Sequence, residues 1–365
     1  MGDYKPLAES EVRETASAYF TERQSKTAPQ EQPTIVLVGG QPGAGKSAMA
    51  AMVRTELAMQ GGYVHVDADR MRERIRVGDS KPTSEQTQAD AGRLVAALRD
   101  QAARGRRNII EEGTFRNPDG AGKFVQGLQE RGYKVELLAV ATPREESLLG
   151  IYQRHELQHA GGGTNPRFVR DKYHDEAMQG FESTLARTAA QLDRVRVADR
   201  SGTVLYDSAV QTNKQPNALE ALAAGRKLSD NKLAEVTKAW DAVEAVARQR
   251  GAPGGYLEAV SGHAQRLEDM QKERIHGHAM NQLDANAATL ARDARYAQHT
   301  GGELGKAAYF RGCHEKASEF KGMAPDFAKY DATAANRQTL RQLPDVSDLA
   351  GRAMPRQRAN DGNSL

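Results

Sequence analysis

The chain has 365 residues, enough for about two domains, and its 39% hydrophobic and 27% charged residues can build a soluble core. Lys and Arg number 51 against 48 Asp and Glu, and the resulting +3 is too weak to call for nucleic acid or an anionic membrane as partner. The single cysteine, Cys313, excludes an intramolecular disulfide and fits a reducing cytoplasm, and no run approaches the roughly 20 apolar residues of a membrane span.

The first 26 residues are polar and charged, without the apolar core of a secretory signal, so the expected location is the bacterial cytoplasm. Residues 7–25 read as an amphipathic helix, with Val12, Ala16, Tyr19 and Phe20 at helical spacing. A Gln- and Pro-rich linker follows to residue 33. Short β-branched runs then appear at 34–38, 63–67, 108–111 and 134–140, alternating with helical stretches. That alternation predicts an α/β fold, a parallel sheet with helices on both faces. Runs at 195–197 and 203–206, joined by Asp199-Arg200-Ser201-Gly202, read as a late hairpin or edge strand. Beyond 216 the strand signal disappears. Segments 218–248, 256–276 and 287–297 are Ala- and charge-rich and predict helices. The expected organisation is an N-terminal helix and linker (1–33), a P-loop kinase domain (34–215), a helical C-terminal extension (216–350) and a disordered tail (351–365).

The phosphate signal is Gly40-Gln41-Pro42-Gly43-Ala44-Gly45-Lys46-Ser47, a complete G-x-x-x-x-G-K-S. The strand 34–38 precedes it and a helix over 47–59 follows, which is the context the motif requires. Its glycines let backbone N–H groups surround phosphate oxygens, and the positive helix end adds to the anion site. In that geometry Lys46 bridges the β- and γ-phosphates of ATP and the Ser47 hydroxyl holds Mg²⁺.

The acceptor side is sought at neighbouring strand ends. One predicted strand ends in Asp67-Ala68-Asp69-Arg70, another in Glu111-Glu112-Gly113-Thr114-Phe115-Arg116. Carboxylates there point into the crevice where such folds bind ligands, and one of them can take a proton from an acceptor hydroxyl. The alternative for Asp69 is an ordinary helix N-cap. Arg154 and Arg167 flank Gly161-Gly162-Gly163. Taken alone, each reads as a solvated surface arginine or as part of a closing lid.

These pieces together resemble the zeta toxins, the kinase halves of bacterial epsilon/zeta toxin–antitoxin systems. The phosphate loop, Asp67-Ala68-Asp69 and Glu112-Gly113-Thr114-Phe115-Arg116 each match the family's pattern. The resemblance implies that Asp69 is the catalytic base and that Asp67, Glu112, Thr114 and Arg116 line the acceptor pocket. It also implies catalytic roles for Arg154, in Tyr152-Gln153-Arg154-His155-Glu156, and for Arg167, seven residues before His174-Asp175. The family's acidic acceptor contact on the preceding helix falls on Glu85 or Asp90, of which Asp90 is taken. Lys123-Phe124 stands where some members offer a small polar contact. The implied reaction is phosphorylation of a sugar hydroxyl of UDP-N-acetylglucosamine with ATP and Mg²⁺, which blocks cell-wall precursor synthesis; the implied partner is a cognate antitoxin.

Two other readings stay open at this point. One is a P-loop kinase for another small hydroxylated acceptor. The other is an interaction protein delivered into another cell, whose ATP site is regulatory. The segment from 216 onward fits cis-inhibition, partner docking, secretion or simple stabilisation of the kinase. His276, His278, His299, Cys313 and His314 match no standard zinc spacing.

Overall fold

In a computed structural model, which describes residues 4–24, 27–75, 82–83, 85–162 and 166–300, six strands form one sheet. They are β1 (Thr34–Gly39), β2 (Val64–Asp67), β3 (Ile109–Gly113), β4 (Lys134–Ala141), β5 (Arg194–Asp199) and β6 (Val204–Asp207). Their order is β2-β3-β1-β4-β5-β6. The first five run parallel, and β6 returns antiparallel along β5. The reversal comes from Asp199, whose Oδ1 accepts hydrogen bonds from the backbone N–H groups of Ser201 and Thr203. The predicted hairpin is therefore present, as the sheet's antiparallel edge.

The helices are α1 (Glu9–Gln24), α2 (Lys46–Ala58), α3 (Ala68–Arg72), α4 (Gln88–Arg104), α5 (Pro118–Gln129), α6 (Arg144–Ala160), α7 (Asp171–Thr188), α8 (Ala218–Gly225), α9 (Asp230–Gln249) and α10 (Gly254–Thr300). Alternation along β1 sends Val36 and Val38 to one face, where they meet Met49, Ala50 and Val53 of α2. Ile35 and Leu37 face the other way, into a core shared with α1, α4, α5, α7 and α8. Both faces of the central strands are thus covered, as their near-continuous apolar sequence requires.

Two expectations need correction in the C-terminal part. The stretch read as one helix over 218–248 is two, because Asn217 and Ser229 each accept a hydrogen bond from a first-turn N–H and start a helix. The stretches 256–276 and 287–297 lie within the single helix α10.

The chain divides into a compact unit over Met1–Ala264 and a second unit over Gln265–Leu365. The first extends well past the boundary expected at 216. Gly225 of α8 packs against Ala141 of β4 and Leu205 of β6, and Trp240 of α9 is fully buried against Tyr152 of α6. Of the second unit, the described part is the remainder of α10. Residues 301–350 and the tail 351–365 lie outside the described residues. Among the described residues no helix is long and apolar enough to cross a membrane.

Candidate active site

The phosphate loop leaves the carboxyl end of β1, and α2 begins at Lys46, so loop amides and the helix's positive end face one crevice. Two glycines in it are obligatory. Gly43 has φ 76°, and a Cβ there would lie 1.9 Å from the Ser147 carbonyl oxygen of α6. Gly45 has φ 92°, a conformation that side-chain-bearing residues avoid.

The loop is buttressed from behind. Gln41 is fully buried and donates to the Thr142 carbonyl at 2.8 Å and to Ser147 Oγ at 3.2 Å. Ser147 Oγ lies 2.7 Å from His174 Nε2, and His174 Nδ1 lies 2.9 Å from Asp175, which Arg144 grips through two hydrogen bonds. Burial holds His174 below its ordinary pKa. The His174-Asp175 pair thus serves the phosphate loop rather than the crevice. Arg226, at the end of α8, donates to the Gln41 side-chain oxygen.

Lys46 Nζ donates to the Gly40 and Gln41 carbonyls, both at 3.0 Å. Burial lowers its pKa to about 8; the charges of Arg167 and Arg154 act the same way, while Glu112 and Asp67 oppose them. Beside it, Ser47 Oγ donates to Glu112 Oε2 at 2.7 Å, and His65 Nε2 sits 2.7 Å from Glu112 Oε1. Burial pushes Glu112 up, but the hydrogen bonds from His65 and Ser47 bring it below its ordinary value. Asp67 stands directly opposite Glu112 in the β2–β3 register. Burial and the Glu112 charge raise its pKa. Oxygen and nitrogen donors of His65, Asp67 and Glu112 all lie within 4.8 Å of one another.

The N-cap of α3 is Asp67, whose Oδ1 accepts from the Asp69 N–H at 2.9 Å. Asp69 is thereby left with its carboxylate free of capping and paired with two arginines. Arg72 Nη1 donates to Oδ1 at 2.6 Å, and Arg167 Nη1 is bonded to Oδ2. Arg72 is itself tied to Thr87 and Gln88 of the α4 entry. Arg154 brings two buried N–H groups, Nε and Nη2, that have no partner among the described residues. Burial lowers the pKa of both Arg154 and Arg167. Orphaned guanidinium donors beside a glycine cradle fit an anionic ligand.

Thr114 and Arg116 continue from β3 through Phe115, whose φ of 42° is unusual for a side chain of that bulk. The Arg116 carbonyl packs so closely on Gly180 of α7 that a Cβ there would come within 2.2 Å. Asp90 does not join the set. It is 2% exposed, bonded to the Tyr4 hydroxyl, the Leu7 N–H at 3.0 Å and Arg93 at 2.8 Å. Its choice as an acceptor contact is therefore corrected: Asp90 fastens the segment entering α1 to α4. Glu85, the other candidate, is exposed. Cys313 and His314 lie outside the described residues.

With this geometry in place, the family model for the zeta toxins matches residues 17–211, more than half of the chain. The chain belongs to the zeta toxin family. Among curated relatives, toxin PezT of Streptococcus pneumoniae serotype 4 is 29% identical over 203 residues, covering 53% of this chain and 79% of that protein. Toxin zeta of Enterococcus hirae is 26% identical over 212 residues, covering 56% and 73%. The solved toxin structure from the PezAT chromosomal toxin–antitoxin system of Streptococcus pneumoniae superposes with a TM-score of 0.54 at 24% identity, covering 67% of this chain and 99% of that one. It bears out the expected P-loop architecture and helical continuation.

Two residues of this zeta toxin's crevice escape a reading of the sequence. His65 sits in an apolar run with no motif around it; only the period-2 alternation back from Asp67 puts both on one face. Arg72 lies three residues after Asp69, a spacing at which helical side chains meet, and that signal was available.

Proposed function

We propose that the chain is an ATP-dependent kinase that phosphorylates a sugar hydroxyl of UDP-N-acetylglucosamine. The observation that carries this reading is Asp69. Its carboxylate is spared from capping and is held by Arg72 and Arg167, and the Arg167 charge in turn acts on Lys46. The roles follow from chemistry. Lys46 and the loop amides neutralise the triphosphate. The acceptor hydroxyl oxygen bonds to the γ-phosphorus while the bond to the ADP oxygen breaks, and Asp69 takes the hydroxyl proton. Arg154 and Arg167 balance charge on the phosphoryl group in flight.

The residues also fit Mg²⁺. Ser47 and Glu112 would hold it, with Asp67 beside them and His65 orienting Glu112. When bound, Mg²⁺ supplies charge neutralisation to the phosphate oxygens. Thr114 and Arg116 are assigned to the acceptor. A cognate antitoxin is the inferred partner, supported by the PezAT toxin–antitoxin system to which the solved relative belongs.

The test is the full chain with ATP, Mg²⁺ and UDP-N-acetylglucosamine, read by mass spectrometry beside Lys46→Ala and Asp69→Asn. A phosphorylated sugar nucleotide is expected from the unaltered chain. Asp69→Asn is expected to lose roughly 10²–10⁴ of the rate while still binding ATP. An unaltered chain that binds ATP but leaves the sugar nucleotide untouched would overturn the assignment of acceptor.

A further inference from the structure

Near the carboxyl end of α6 the sequence runs His155-Glu156-Leu157-Gln158-His159, an H-E-x-x-H spacing on a helix. In that pattern two imidazoles one turn apart share a metal ion, and the glutamate acts as a base. The structure separates the two halves of the motif. Glu156 is 5% exposed, and Arg250 takes both its oxygens at 2.6 and 2.9 Å, so it anchors the end of α9 and is no base. The imidazoles are placed differently. The half-buried rings of His155 and His159 lie 4.7 Å apart, centre to centre, and nearly perpendicular at 88°. A metal bound to both at nitrogen distances of about 2.0–2.1 Å would put the ring centres roughly 5 Å apart.

His155 carries the atom that calls for a ligand. Its Nδ1 is buried and has no partner among the described residues, which is costly unless something meets it. The ring is also hydrogen-bonded to the backbone of Arg167, which leaves Nε2 as the nitrogen engaged there. Metal-bound imidazoles ordinarily have this arrangement, one nitrogen on the ion and the other held by a carbonyl or carboxylate. Burial, and after it the charge of His159, hold the His155 pKa below its ordinary value. The ring is thus neutral near pH 7, as ligation requires. Helix α6 ends at Ala160, and the negative end of a helix favours a cation. An edge-to-face contact between two rings accounts for the angle but not for the orphaned Nδ1. Among the described residues the one group of three ligand-type side chains is His65, Asp67 and Glu112 in the crevice. The α6 pair therefore supplies two ligands and leaves the other positions to water. Imidazole donors suit zinc, copper and nickel, whereas magnesium and calcium take oxygen.

We propose that His155 Nδ1 and an imidazole nitrogen of His159 form a binding site for a zinc-class divalent ion. The site stands where it can act on the arginines. His155 follows Arg154, its ring packs 5.1 Å from the Phe168 ring, and Gln158 Oε1 accepts from the Arg167 N–H at 2.6 Å. An ion on the pair fixes the His155 ring and, through it, ties α6 to the segment that carries Arg167.

The test is calorimetric titration of the full chain with Zn²⁺, beside His155→Gln, His159→Gln, the double variant and His65→Gln. Each α6 single variant is expected to weaken the same one equivalent at least about tenfold, and the double variant to lose no further equivalent. His65→Gln, which alters the crevice imidazole, is expected to keep that equivalent. Zn²⁺ is also expected to raise the thermal midpoint of the unaltered chain, as any ligand of the native state does, and to raise it less in the α6 variants. Zinc binding that is absent, or that is the same in the unaltered chain and both single variants, overturns the proposal. So does a loss in His155→Gln that His159→Gln does not share. If His155→Gln fails to fold, His159→Gln, at the last turn of the helix, decides. The titration uses neither ATP nor a sugar nucleotide, so its outcome stands apart from that of the kinase assay.

Discussion

Lys46 holds its proton against burial and two neighbouring arginines, with a pKa near 8. A bound triphosphate favours the ammonium form, so above that pH ATP binding must take up a proton. Affinity for ATP is therefore expected to fall as pH rises through about 8, approaching tenfold per unit beyond it. Lys46→Arg, which stays charged, is expected to flatten that limb in a titration of ATP affinity against pH. The same depressed pKa means that the unfolded chain binds more protons between about 8 and 10.5, so this residue's contribution makes stability rise with pH across that window. At this scale the phosphate site was legible because its residues are contiguous and local geometry alone makes the cradle. Glu112 was found at a strand end, but its partner His65 was not, since only the pairing of β2 with β3 brings them together. Asp90 was misplaced for a related reason. Its partners Tyr4 and Leu7 lie more than 80 positions away, and no helical spacing reveals them.

The elements around the arginines share an aromatic cluster. Tyr152 of α6 contacts Phe168, Trp240, Tyr256 and His263, with ring centres 4.9 to 5.5 Å apart. Phe168 adjoins Arg167, and Tyr152 precedes Arg154 by two residues. Helices α9 and α10 thus hold the two segments that carry the arginines. Arg250 reinforces them by a two-pronged pair with Glu156 at 2.6 and 2.9 Å. Trp240→Ala removes a fully buried indole and is expected to cost about 3–5 kcal/mol, checked by urea unfolding of the full chain. Helix identity was legible from periodicity here, but not the break between α8 and α9. The run 218–248 is apolar enough to read as continuous, and the signal lay in the cap residues Asn217 and Ser229.

For the whole molecule, the compact unit that holds the sheet runs to Ala264, past the boundary expected at 216. Composition placed the boundary where the strands stop. Packing places it later, because the helices over 218–264 cover the sheet and α6. A chain ending at residue 264 is therefore expected to unfold in one cooperative transition and keep its activity. A chain ending at 238 lacks Trp240, Arg250 and Tyr256, and is expected to melt earlier and to lose activity. Thermal melts of the two truncations beside the full chain make the comparison.

The clasp between Asp69 and Arg167 has a consequence for thrift. A carboxylate already held by a guanidinium gains little by accepting a proton from a stray water, so an idle kinase of this build squanders little ATP. A bulky acceptor that occupies the crevice can compete for Arg167 and free the base, whereas a single water cannot. Arg167→Ala is then expected to slow transfer to the acceptor more than it slows the release of inorganic phosphate. Measuring both rates on the same sample gives the ratio, and a ratio unchanged from the unaltered chain would show that the clasp does not guard the fuel.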